Sequence, residues 1–79
     1  MSAAAPASLL DVCGLNCPLP LIKTKKALLS LPPNGVLTVL ITDPDSVPDV
    51  RAFAQTSGYA VAVSGPEAAG VYRVVISRA

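Results

Sequence analysis

Pro18 and Pro20, separated by one residue, restrict what this chain can fold into more than any other feature. A proline inside a helix removes a hydrogen bond and clashes with the preceding turn, costing about 3 kcal/mol or more. Two together are harmless only in a first turn, where the amides have no intrahelical acceptor. They mark a helix start, and Pro32-Pro33-Asn34-Gly35 marks its stop. The sequence between these signals predicts a helix from Cys17 to about Leu31, with the Cys17 sulfur at its N-terminus.

The remaining elements follow from turn signals and apolar runs. Ser8 to Val12 reads as a first strand, and Gly14 and Asn16 as a turn. Val36 to Thr42 is nearly continuous in apolar character, which fits a central strand. Asp43-Pro44-Asp45 breaks it. Ser46 as N-cap, Pro48 in the first turn and Asp49 at the capping-box position then predict a second helix, which reaches Ser57 and ends at Gly58. Tyr59 to Ser64 and Val71 to Ser77, joined through Gly65 to Gly70, read as a hairpin. The order β-α-β-α-β-β predicts an α+β fold, a two-layer α/β sandwich. Two helices cover one face of a mixed four-stranded sheet, and strands one and two are parallel. Residues 1–7 read as a flexible N-terminal tail and 8–79 as a single domain, all that 79 residues accommodate.

Composition narrows the chemistry. A net charge of +1 and only Phe53, Tyr59 and Tyr72 as aromatics predict no direct nucleic-acid binding. No apolar run approaches the roughly 18 residues of a membrane span, and the start lacks the pattern of a secretory signal. The expected compartment is therefore the reducing cytoplasm, where Cys13 and Cys17 would be free thiols. The absence of histidine removes the Ser-His-Asp triad, the Cys-His dyad and imidazole metal sites. No spacing suggests a metal or an organic cofactor, so any chemistry rests on cysteine.

Cys17 carries that expectation. A helix N-terminus offers free amides and a positive partial charge, which lower a thiol's pKa. Pro18 and Pro20 fix the backbone around the sulfur. Cys17 is thus expected to be exposed, rigid and partly ionised. Such a thiol suits sulfur transfer: it accepts the outer sulfur of a donor persulfide, and the next partner collects it. For Cys13, at a strand end, packing or inert exposure is weighed against service as a second thiol. Three residues intervene between the two, so the thioredoxin-type spacing is absent. At 100° per residue, Pro20, Leu21, Thr24, Ala27, Leu28 and Leu31 fall on the core side of helix one. Lys25 lies at the edge of this arc. Either its stem covers the core edge, or it joins Leu19 and Ile22 in a mixed patch beside Cys17 that receives partners and lowers the thiol pKa. Asp11 is expected to bond amides of the turn before Cys17.

The stretch Leu10-Asp11-Val12-Cys13-Gly14-Leu15-Asn16-Cys17-Pro18-Leu19-Pro20 resembles the signature of the TusA/SirA-like sulfur carriers, a Cys-Pro-x-Pro motif with Gly-Leu-x and an Asp upstream. Lys25-Lys26, Asp43-Pro44 and the final hairpin fit as well, so the resemblance covers Leu9 to Arg78. It implies a fold similar to the C-terminal domain of translation initiation factor three. It also implies Cys17 as the sulfur carrier, with Gly14, Pro18 and Pro20 in the motif that positions it. The partners it implies are a sulfur-donor protein (cysteine desulfurase or rhodanese-type) and a downstream sulfur-acceptor protein, in tRNA thiolation or dissimilatory sulfur metabolism. Lys25 and Asp43 become candidates for partner contact, although Asp-Pro after a strand is also an ordinary turn. Three positions depart from the pattern: Leu19 where many relatives carry an acid, Ala54 where some carry a second cysteine, and Cys13 itself. Two other functions compete, a non-catalytic regulatory or RNA-associated binding module and a Cys13/Cys17 thiol-disulfide redox protein.

Overall fold

The computed structural model describes residues 7–78. In chain order these form β1 (Ala7–Asp11), α1 (Leu19–Leu29), β2 (Val36–Ile41), α2 (Ser46–Thr56), β3 (Tyr59–Ser64), a 3-10 turn at Ala68–Gly70, and β4 (Tyr72–Arg78). The sheet order is β1-β2-β4-β3. β1 runs parallel to β2, and β4 is antiparallel to both β2 and β3. The α+β fold expected from the sequence is the fold observed, with two helices and a mixed four-stranded sheet. Most of the proposed tail lies outside the described residues, but Ala7 does not belong to a tail: it pairs with Val36 and opens β1.

Alternation on the central strands builds the core. Leu37, Val39 and Ile41 of β2 and Val74 and Ile76 of β4 are buried, and the residues between them are more exposed. The register sets Val39 against Val74 and Leu37 against Ile76, so these side chains share one face. Onto it α1 turns Pro20, Thr24 and Leu28, and α2 turns Val47, Val50 and Ala54. Both sets follow the three-to-four-residue period of a helix face. Each aliphatic side chain fully buried here stabilises the fold by roughly 1.5–3 kcal/mol. Thr24 tolerates complete burial because its hydroxyl donates to the Pro20 carbonyl at 2.7 Å.

Element ends depart from the sequence expectation in ways that matter for the site. α1 begins at Leu19 with Pro18 at its N-cap, so Cys17 precedes the helix rather than opening it. The cause is the turn itself: Leu19 N–H donates to the Asn16 carbonyl and Ile22 N–H to that of Pro18. α1 ends at Leu29, and Leu31 is buried just beyond it. Ser46 is the first residue of α2, not its cap. Asp45 takes the cap position, and Ser46 donates its hydroxyl to Asp43. β1 and β4 each lie one residue away from their expected spans.

Candidate functional site

Parallel pairing of β1 and β2 puts their C-terminal ends side by side, with Asp11 opposite Leu40. The loops that follow, leading to α1 and to α2, are thereby neighbours. Val12 N–H still bonds the Leu40 carbonyl at 3.0 Å, after which the first loop turns. The turn needs Gly14, whose φ of +82° lies where side-chain-bearing residues are strained. Its amide donates to the Thr42 hydroxyl at 2.7 Å, which ties the first loop to the end of β2. Next, the Cys17 amide donates to Asp43 Oδ2 at 2.8 Å. The same carboxylate accepts from the Ser46 hydroxyl at 2.8 Å and, through Oδ1, from the Asp45 amide at 3.1 Å. One aspartate in the second loop thus holds the backbone of the cysteine in the first. Pro20 anchors the other side of the thiol by burying its ring in the core, while Pro18 stays exposed.

The Cys17 thiol is exposed, as expected. Its expected acidity is not what its surroundings produce. Desolvation, then the negative charge of Asp49 and its hydrogen bond with the sulfur, then Asp43 and Asp45, push the thiol above its ordinary value. The Sγ–H donates to Asp49 Oδ2 at 3.8 Å. A helix-terminus argument counts only the positive end of α1. The sulfur also faces carboxylates delivered by another part of the chain, and like charge disfavours a thiolate. The Cys17 amide, followed by the Ser46 hydroxyl, holds the Asp43 carboxyl below the usual carboxylate range. Cys13 is half-buried, and its thiol is also pushed up, first by a hydrogen bond with Asp11. Asp11 does bond the turn, accepting from the Cys13 amide at 2.9 Å.

The family model described as sulfurtransferase TusA matches residues 8–78, nearly the whole chain. The chain belongs to the TusA family. A homologue from Neisseria meningitidis serogroup A is 43% identical over 67 residues, covering 85% of this chain and 89% of its own. The sulfur carrier protein TusA of Allochromatium vinosum is 51% identical over 49 residues, 62% of this chain and 64% of that one. Among solved structures, a SirA-like protein from Desulfitobacterium hafniense superposes with a TM-score of 0.79 at 34% identity, covering 87% of this chain and 93% of its own.

Within this TusA-family fold the remaining candidates separate. Leu19 and Ile22 are 44% and 53% exposed, large apolar side chains on the first turn of the helix that follows Cys17. Lys25 lies with its ammonium 5.0 Å from the centre of the Phe53 ring. The causes that shift Cys17 are desolvation and the carboxylates Asp49, Asp43 and Asp45, with Lys25 not among them. Asp43 makes the bonds of a turn and of the Cys17 backbone at once. Four further residues complete the site although along the chain each reads only as part of a strand end, a turn or a helix start: Thr42, Asp45, Ser46 and Asp49. Thr42 reads in the sequence only as the last residue of a strand, and nothing there ties it to Gly14. Asp49 reads as a capping-box acid in the sequence, yet α2 has no side-chain cap bond and the carboxylate accepts a hydrogen bond from the Cys17 thiol instead.

Proposed function

We propose that this TusA-family protein is a sulfur carrier that accepts sulfane sulfur as a persulfide on Cys17 and hands it to an acceptor protein. The observation that carries this reading is an exposed thiol on a backbone fixed from two sides, by Asp43 at its own amide and by the buried ring of Pro20. A transferable sulfur must be reachable by two different partners in turn, so exposure is required of it. It must also be presented in one place, and the fixed backbone supplies that. The thiolate is needed only at the moment of transfer, so a thiol that rests protonated is compatible with the role. The donor is a cysteine desulfurase or rhodanese-type protein, and the acceptor belongs to tRNA thiolation or dissimilatory sulfur metabolism. Leu19 and Ile22 form the apolar rim against which partners dock, with Lys25 and Asp43 at its edges. The protein works as a sulfurtransferase in the reducing cytoplasm, where both cysteines remain thiols.

The test is intact mass after incubation with a protein persulfide donor. A gain of one sulfur atom that disappears in Cys17→Ser is the expected result. No gain, with loss of two hydrogens on mild oxidation, would point instead to a Cys13–Cys17 redox couple. No mass change under either treatment would leave a non-covalent binding module.

A further inference from the structure

We propose that Asp49 is a positioning residue that keeps the Cys17 sulfur as S–H in the free protein and yields it when a partner brings positive charge to the same rim. This rests on the reading of Cys17 as the sulfur-bearing thiol and assigns the control of that thiol to one carboxylate.

The geometry points to Asp49 in particular. It comes from the first turn of α2, 32 residues beyond the cysteine, and its Oδ2 faces the sulfur. Its neighbour Asp43 is occupied three times over, by the Cys17 amide, the Ser46 hydroxyl and the Asp45 amide. Asp49 is exposed, and among the described residues the Cys17 thiol is its one side-chain hydrogen-bond partner. It caps no helix. Asp43 and Asp45 come from the loop before α2 and stand with Asp49 in opposing a thiolate. Asp11, from the end of β1, is engaged with Cys13. Lys25 of α1 lies over Phe53. The one ion pair among the described residues, Arg73 with Glu67, belongs to β4 and the loop before it. Three carboxylates therefore act on the sulfur with no ion pair to offset them.

The consequence for sulfur transfer is a gate. In the free protein the thiol is held as a hydrogen-bond donor, which protects an exposed sulfur from adventitious electrophiles, since the thiolate is the nucleophile. A sulfur-donor protein whose docking surface carries lysine or arginine pairs with Asp49 and its neighbours and removes the opposition to ionisation. The thiolate then attacks the outer sulfur of the donor's R–S–SH. The new Cys17 S–S bond forms as the donor S–S bond breaks, and the donor departs as a thiolate that takes the proton Cys17 gave up. Cys17–SH and R–S–SH become Cys17–S–SH and R–SH, with no external oxidant.

The experiment is the pH–rate profile for alkylation of Cys17 by iodoacetamide, an uncharged reagent, on the full chain carrying Cys13→Ser. Asp49→Asn should move the inflection to lower pH and raise the rate near neutrality roughly three- to tenfold, the scale of one charge removed about 4 Å away in a largely hydrated site. Asp49→Glu, which keeps the charge, should stay near the parent. A purely structural role would not move the inflection, so an unchanged inflection in a folded Asp49→Asn would overturn the proposal. A second measurement needs no variant at Asp49. A hexa-arginine peptide should accelerate alkylation of the parent at low salt and lose that effect at about 1 M salt, where the screening length is roughly 3 Å. Absence of acceleration at low salt would also overturn it. If Cys17 gains sulfur but Asp49→Asn leaves its profile unmoved, only the gate fails. If the profile moves but no sulfur is ever gained, the gate stands and the carrier reading fails.

Discussion

Cys13 and Cys17 are four positions apart on one loop, and each has its amide held by an aspartate, yet the two arrangements differ in kind. The Cys13 amide bonds Asp11, two residues back, in an ordinary local turn. The Cys17 amide bonds Asp43, 26 residues on, and its sulfur bonds Asp49, 32 residues on. Cys13 is half-buried and Cys17 exposed. A local turn orders a loop but answers only to its own segment. A turn pinned by a distant crossover loop has its position set by the whole sheet, and that is what a thiol needs if two different proteins must find it in the same place. Both thiols are raised above their ordinary value, so acidity does not separate them. Exposure and anchoring do.

The sharpest break between the two cysteines is functional. Cys17→Ser should abolish sulfur loading in intact-mass measurements, and Cys13→Ser should leave it unchanged. Equal loss in both variants would end the distinction. Next in size is the difference between their aspartates. Asp43→Ala frees a hydroxyl and two amides at once, whereas Asp11→Ala frees one amide, so the urea midpoint should fall further for Asp43→Ala. The same pair sets an acid limb. Both carboxyls are lowered in the folded state, by their amide bonds first. The stability they add is fully present above the ordinary carboxylate value of about 3.9, and it is lost as pH falls through their lower folded values. Asp43→Asn should flatten that limb in acid-unfolding curves. Gly14→Ala should cost about 1–2 kcal/mol in chemical denaturation through its positive φ alone, because a Cβ there would meet nothing within 4 Å. The smallest effect belongs to Lys25, whose contact with Phe53 is worth about 0.5–1 kcal/mol at an exposed site. Lys25→Glu should therefore leave the fold intact by thermal melting while slowing sulfur acceptance from the donor.

Much of this molecule is legible along the chain because its signals are local. Pro18 and Pro20 can only stand near a helix start, Pro32-Pro33-Asn34-Gly35 can only end one, and Gly58 closes α2 with a φ of +89°. Those constraints act within a few residues, so element order, the parallel pair of β1 and β2, the final hairpin and the exposure of Cys17 are legible without the packing, whereas the pairing of β2 with β4 is not among them. Boundaries slipped where side chains chose partners by proximity, as when Ser46 entered the helix to reach Asp43.

The charge around the thiol was of the other sort. Along the chain, Cys17 stands at the positive end of its own helix, a place where a thiol ionises readily. The parallel pairing of β1 with β2 lays the second crossover loop against the first, and with it come Asp43, Asp45 and Asp49. Coulomb interaction depends on separation through space and not on separation in sequence. The sequence by itself determined that a cysteine would stand exposed before a helix. Only the tertiary structure decided which charges that sulfur would face.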